Sequence, residues 1–99
     1  MLNINKEKNG TALKVELEGR LDTTTAPQLE EELKSALEGI TELDFEIDKL
    51  QYISSAGLRV LLSVQKIMNK QGEMTVRGAN EDILEIFDVT GFSDILKIV

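Results

Sequence analysis

The sequence predicts an α/β fold built as a one-sided β-α superhelix, with a mixed sheet of about five strands, an opening antiparallel hairpin and about three helices on one face. Strand-like and helix-like stretches alternate along the chain. Asp44, Glu46 and Asp48 alternate with Leu43, Phe45 and Ile47, so one face of the sheet is wet. A doubly wound sheet, covered on both faces, reads instead as continuous apolar runs. Right-handed crossovers then keep all helices on one side when strands are added steadily in one direction.

Leu2 and Ile4 mark a short first strand, and Asn9-Gly10 is the two-residue signature of a tight hairpin. The second strand points Leu13, Val15 and Leu17 inward and Lys14, Glu16 and Glu18 outward. Thr25 starts a helix, with Pro27 tolerated in its first turn and Gln28 three residues on, as in a capping box. Leu29, Leu33, Ala36, Leu37 and Ile40 follow helical spacing, and Gly39 sits near the stop. The third strand runs from Leu43 to Asp48, and a short connector leads to a helix after Ser55 that reaches about Lys70 and ends at Gly72. Met74 and Val76 mark the fourth strand. A helix from about Asn80 to Val89 follows, then Gly91 and a last strand around Ile95 to Ile98. The helix after Ser55 is apolar over an arc of roughly 220°, from Leu58, Val60, Leu61, Leu62, Val64, Ile67 and Met68. Neighbouring helices or a docked partner would have to cover that excess over a simple amphipathic stripe.

Composition narrows the chemistry. The 99 residues are 41% hydrophobic, enough for one modest core and expected to form a single domain over residues 1–99. No apolar run approaches the ~20 residues of a membrane span, and the N-terminus lacks the basic and apolar regions of a signal peptide. With no cysteine, those features favour the cytoplasm. A net charge of −7 argues against nucleic acid, which needs a basic stripe. Without His or Cys, neither a Ser-His-Asp nor a Cys-His arrangement is available, nor a zinc site of nitrogen and sulfur ligands. No Asp-x-Asp-x-Asp-Gly loop or Gly-x-x-x-x-Gly-Lys cradle is present. The expectation is a binding protein, with no cofactor or metal and no enzymatic activity.

Functional loops in such a sheet gather at the carboxyl ends of the parallel strands. That rule brings together Gly19 to Thr25, Ile53 to Gly57, and Gly78-Ala79-Asn80. In the second segment, Ser54 and Ser55 stand at the start of the apolar helix. Hydroxyls there cap the helix or accept a phosphate, because free N–H groups and the helix dipole favour negative charge. Asp22, ahead of Thr23-Thr24-Thr25, reads as a turn or cap residue. Gly19 and Gly57 read as backbone-shape residues.

Tyr52-Ile53-Ser54-Ser55-Ala56-Gly57-Leu58-Arg59, with Gly19-Arg20-Leu21-Asp22 upstream, resembles the STAS domain of bacterial anti-sigma factor antagonists, over nearly all of the chain. In that family the first serine of Asp-Ser-Ser-Gly or Asp-Ser-Thr-Gly is phosphorylated by an anti-sigma factor kinase. Placing Gly57-Leu58 on the family's Gly-Leu puts Ser55 on the phosphorylated serine and Ala56 on the following Ser or Thr. Ser54 stands where the family has aspartate and is the second choice of acceptor. Gly-Arg-Leu-Asp resembles the family's Gly-Glu-Leu-Asp, whose aspartate helps partner recognition. The resemblance thus implies a partner-binding face of Asp22, Thr23, Ser54, Ser55, Ala56, Gly57 and Arg59, and a STAS-type superhelix. The family usually adds a final amphipathic helix, which this sequence, stopping at Val99, does not show; exposed or partner-covered apolar surface is expected in its place.

The function implied is that of an anti-sigma factor antagonist in a partner-switching circuit. It would bind an anti-sigma factor serine kinase, release the sigma factor, be switched off by serine phosphorylation, and be restored by a PP2C-type phosphatase. Neither nucleic-acid binding nor membrane insertion is expected. The alternative is a STAS subunit docked on a transporter ATPase without phosphorylation.

Overall fold

Gly10 sets the register of the first hairpin. The computed structural model describes residues Met1–Val99 and pairs β1 (Leu2–Asn9) antiparallel with β2 (Ala12–Leu21), from Leu2↔Gly19 to Asn9↔Ala12. The loop is therefore Gly10-Thr11, one residue later than the Asn9-Gly10 signature suggests. Gly10 has φ +65° and no non-glycine residue has positive φ, so only the first loop position is left-handed. That is the type II′ pattern, which calls for glycine there. β1 is also longer than its two apolar residues predict. Beyond Ile4 its side chains are exposed, so the pairing with β2 and not burial holds that stretch.

After the hairpin the chain continues through α1 (Ala26–Ala36), β3 (Glu42–Ile53), α2 (Ser55–Gln71), β4 (Glu73–Arg77) and α3 (Glu81–Thr90). A 3-10 turn at Phe92–Asp94 leads to β5 (Lys97–Ile98). The pairs β2–β3, β3–β4 and β4–β5 are all parallel, and the strands lie in the sheet in their chain order. Leu13, Val15, Leu17, Leu43, Phe45, Ile47, Met74 and Val76 are buried from the sheet side. They join Leu29, Leu33, Leu61, Val64, Met68, Ile83 and Phe87 of the three helices in one apolar cluster. The opposite sheet face is wet, as the alternation predicts. It carries the ion pairs Lys14–Glu46 at 3.7 Å and Arg77–Asp44 at 3.1 Å, each worth at most about 1 kcal/mol in such exposure.

β3 overruns its predicted end. It continues from Asp48 to Ile53, replacing the expected connector. Glu16 pairs with Glu46 but Glu18 with Lys49, and Gly19 pairs with Leu50 but Arg20 with Tyr52. Each shift places one extra residue on β3, the signature of a bulge. The buried series therefore runs Leu43, Phe45, Ile47, then Leu50 and Ile53, and the period of two breaks after Ile47.

The helix starts differ from one another. Thr25 is the N-cap residue of α1, but its side chain makes no cap bond, so the predicted capping box does not form. Its hydroxyl turns back, accepting from the Asp22 N–H at 2.9 Å and donating to the Arg20 carbonyl at 2.8 Å. α2 begins closer to the sheet. A Cβ on Gly57 would lie 2.7 Å from Leu21 Cγ and 3.0 Å from Ile53 Cγ1. Gly57 is therefore required for helix–sheet approach.

Gly57→Ala should destabilise the fold by about 1–3 kcal/mol through overpacking. Ser63→Ala, an exposed change on the same helix, should stay within about 0.5 kcal/mol. Equilibrium urea unfolding of the two variants beside the parent checks this; a Gly57→Ala midpoint equal to the parent's would mean that the contact yields without cost.

Candidate partner-binding surface

Leu21 and Ile53 are register partners at the last positions of β2 and β3. The two following loops therefore leave the sheet side by side. The Ser54 N–H closes the gap, donating to the Leu21 carbonyl at 2.9 Å. Ser54 then acts as the N-cap of α2, in extended conformation at φ −98° and ψ 175°. Its Oγ accepts from the Gly57 N–H at 3.4 Å, and its carbonyl accepts from the Leu58 N–H at 2.9 Å. Ser55 is the first residue of the helix and is exposed. The two serines thus differ in setting: the Ser54 hydroxyl faces the helix backbone, and Ser55 is exposed.

The first loop is organised by Asp22. Its Oδ1 accepts from the Thr24 hydroxyl at 2.8 Å and from the Thr24 and Thr25 amides at 3.0 and 3.1 Å. The Thr24 hydroxyl is the largest influence holding this carboxyl below the ordinary value of 3.8; the two amides and the Thr25 hydroxyl add to it, and desolvation opposes it. Hydrogen bonds to the charged form have this effect because protonation would break them. The other oxygen, Oδ2, lies 3.9 Å from Arg20 Nε.

Arg20 adds a contact that the sequence does not single out. Its guanidinium sits over the Tyr52 ring, 4.5 Å from the centroid. The two residues are register partners. Since their neighbours Leu21 and Ile53 are buried, they project on the open face of the sheet. A cation–π pair this exposed is worth about 0.5–1 kcal/mol. The signal was present: Arg20 stands two residues before Asp22, and Tyr52 two residues before Ser54, in paired strands.

Thr23, Ala56 and Arg59 meet across a shallow cleft of about 200 Å³ between the first turns of α1 and α2, with Pro27, Glu30 and Ser63 also on its walls. The sites named from the Asp22 loop and from the serine loop therefore share one surface. Gly78-Ala79-Asn80 does not reach it. β4 ends at Arg77 opposite Glu46, while β3 runs on to Ile53. The turn packs lower, with Gly78 against Asp48 and Asn80 Nδ2 donating to the Leu50 carbonyl at 3.1 Å. Asn80 Oδ1 meanwhile caps α3 through the Ile83 N–H at 2.8 Å. The larger hollow, about 350 Å³, lies on the wet sheet face among Asn3, Asn5, Glu16, Glu18, Asp48 and Lys49, away from both serines. No group of three or more acidic side chains is arranged to hold a metal ion, and no helix is long and apolar enough to cross a membrane.

A sequence profile of the STAS domain matches residues 3–99. The anti-sigma-B factor antagonist of Bacillus subtilis (strain 168) is 30% identical over 98 residues, which cover 98% of this chain and 90% of the relative. An anti-sigma factor antagonist from Mycobacterium paratuberculosis superposes with a TM-score of 0.89 at 18% identity, covering 99% of this chain and 85% of that one. The Bacillus cell fate determinant SpoIIAA in its phosphorylated form gives 0.77 at 15% identity, covering 98% and 91%. At such identities the two structures speak for the fold alone.

The Asp22 geometry has a pH signature. A carboxyl whose folded value is lowered favours the folded loop above the unfolded value, and that contribution is lost as pH falls through the lowered folded value. The amide resonances of Thr24 and Thr25 should therefore stay flat at neutral pH and titrate with a midpoint below 3.8, the ordinary value. Asp22→Asn should abolish that acid limb. Titration by 15N-resolved NMR checks it; a midpoint above pH 3.8 at both amides would contradict the geometry.

Proposed function

The chain belongs to the STAS domain family, and on that premise we propose that it is an anti-sigma factor antagonist switched by phosphorylation of Ser55. The observation that carries the proposal is the position of Ser55, exposed on the first turn of α2 beside the ordered Asp22 loop. Ser54, engaged as the helix cap, is the poorer acceptor. The unmodified protein presents Asp22, Thr23, Ser55, Ala56 and Arg59 to an anti-sigma factor of kinase fold and so frees the sigma factor. Ser54 and Gly57 belong to the same face through the backbone that they shape.

The kinase then supplies ATP, Mg²⁺ and the base. Ser55 Oγ attacks the γ-phosphorus, its proton passes to the kinase base, and the bond to ADP breaks. A phosphatase of the PP2C type reverses the modification by hydrolysis. In this scheme the chain is substrate and ligand, never catalyst, and its place is the cytoplasm, where sigma factors act.

The switch is electrostatic. Phosphate adds about −1.5 to −2 charges at neutral pH. At the start of α2 the free N–H groups and the helix dipole tolerate that charge, so the fold persists. A partner docked over Ser55 must instead desolvate the dianion, at a cost of several kcal/mol when it is left unpaired.

Ser55→Ala should abolish phosphorylation by the cognate kinase and leave binding to it intact, because the hydroxyl is a substrate and not an anchor. Kinase assay with mass spectrometry, beside a binding titration, checks both halves; phosphate on Ser54 with Ser55 unmodified overturns the assignment.

Phosphorylated protein should bind the kinase at least about tenfold more weakly, equivalent to ~1.4 kcal/mol, with unchanged circular dichroism and melting temperature. Equal affinities would favour structural docking, as on a transporter ATPase, and a melted phosphoprotein would exclude a purely electrostatic switch.

A further inference from the structure

α2 differs in charge from the chain that contains it. The protein has 18 Asp and Glu against 11 Lys and Arg, yet α2 carries three cations, Arg59, Lys66 and Lys70, and no acidic residue. At about 100° per residue the three fall within an arc of roughly 40°. All are exposed, and none forms an ion pair within the protein.

An apolar trough lies beside this stripe. The cleft at Thr23 and Ala56 continues along α1 and α2 into a second stretch of about 140 Å³, sharing Glu30, Val60 and Ser63 with the first. Leu33 of α1 and Leu37 just beyond its end, with Val60 and Val64 of α2, form its floor, each only 1–6% exposed. Ile67 stands open at its far end, 44% exposed. On the α1 rim Glu30 and Lys34 offset each other, so the net positive edge is that of α2. Two helices lying on one side of a sheet leave such a valley, and here it is apolar below and basic along one edge.

The geometry points to this trough as the docking site for an acidic amphipathic helix of a partner protein. Apolar side chains at helical spacing would fill the valley over Val60, Val64 and Ile67, as in helix-in-groove recognition. Carboxylates on the flank of that helix would face Arg59, Lys66 and Lys70. A flat anionic membrane would touch the cations without reaching the floor, and nucleic acid would have no use for the apolar valley. The trough begins where the proposed serine surface ends, so one partner can span both. The inference itself rests on α1 and α2 and does not depend on phosphorylation.

The test titrates the 15N-labelled whole protein with two designed helical peptides of about four turns. Both carry the same leucine stripe; one has glutamate and the other lysine at every flanking position. The glutamate peptide should bind, shifting resonances of Leu33, Val60, Val64 and Ile67. The double variant Lys66→Glu with Lys70→Glu, both exposed and checked for folding by circular dichroism, should lose at least about tenfold in affinity for it and gain affinity for the lysine peptide. Ser55→Ala should bind the glutamate peptide as the parent does, which separates this surface from the serine chemistry. Equal binding of the two peptides, shifts confined to another face, or binding to phosphatidylcholine–phosphatidylserine vesicles with none to either peptide would overturn the proposal.

Discussion

The start of α2 is fixed to the ends of two parallel strands by one hydrogen bond and one missing side chain. The Ser54 amide donates to the Leu21 carbonyl, tying the end of β3 to the end of β2 where regular pairing stops. Gly57 then lets the first helical turn settle on Leu21 and Ile53 with no Cβ between them. Together these contacts orient the helix so that Leu58 and Leu61 enter the core while Ser55 and Arg59 remain outside. Free amides at the helix start, the serine hydroxyl and the Asp22 loop then lie on one surface because the backbone leaves them no other arrangement.

The Asp22 loop contributes order more than free charge. Oδ1 is occupied by three short hydrogen bonds from within the loop, so only the Oδ2 side, near Arg20, is left to meet a partner. Arg20 is in turn held by the Tyr52 ring. The loop and the strand ends thus form a chain of small contacts from Thr24 through Asp22 and Arg20 to Tyr52, two residues short of Ser54. A partner docking there would meet side chains already in contact with one another, and would lose less ordering entropy than on a flexible loop.

Much of this was legible in the sequence wherever one physical period dominated. The alternation at Leu43, Phe45 and Ile47 indicated both the strand and its wet face, and helical spacing from Leu29 to Leu37 indicated α1. The pattern failed where geometry depends on a non-local partner. The end of β3 is invisible to a period-two search because each bulge resets the phase, and bulges are defined only against β2. The capping box at Thr25 fails because Arg20 and Asp22 compete for the same hydroxyl. Gly78–Asn80 falls short of the serine surface because β4 is only five residues long, a length that Met74 and Val76 do not disclose. The broad apolar arc of α2 is resolved by packing: Leu58, Val60, Leu61, Val64 and Met68 are covered, and Ile67 is left in view.

The order of strands in the sheet, identical to their order in the chain, bears on how the molecule is made. Each strand finds its neighbour across one hairpin or one helical crossover, so the chain never has to hold a gap open for a later strand. Only the opening hairpin is local, however; the parallel partners Ala12 and Glu42 lie 30 residues apart, and such non-local pairing is the slow part of folding. Synthesis proceeds from the N-terminus, so β2 is available when β3 emerges, and both are available when α2 emerges. The residues that fix the position of Ser55, namely Leu21, Ile53, Ser54 and Gly57, all precede β4 in the chain, whereas Phe45 and Ile47 await Met74 and Val76 to complete the core.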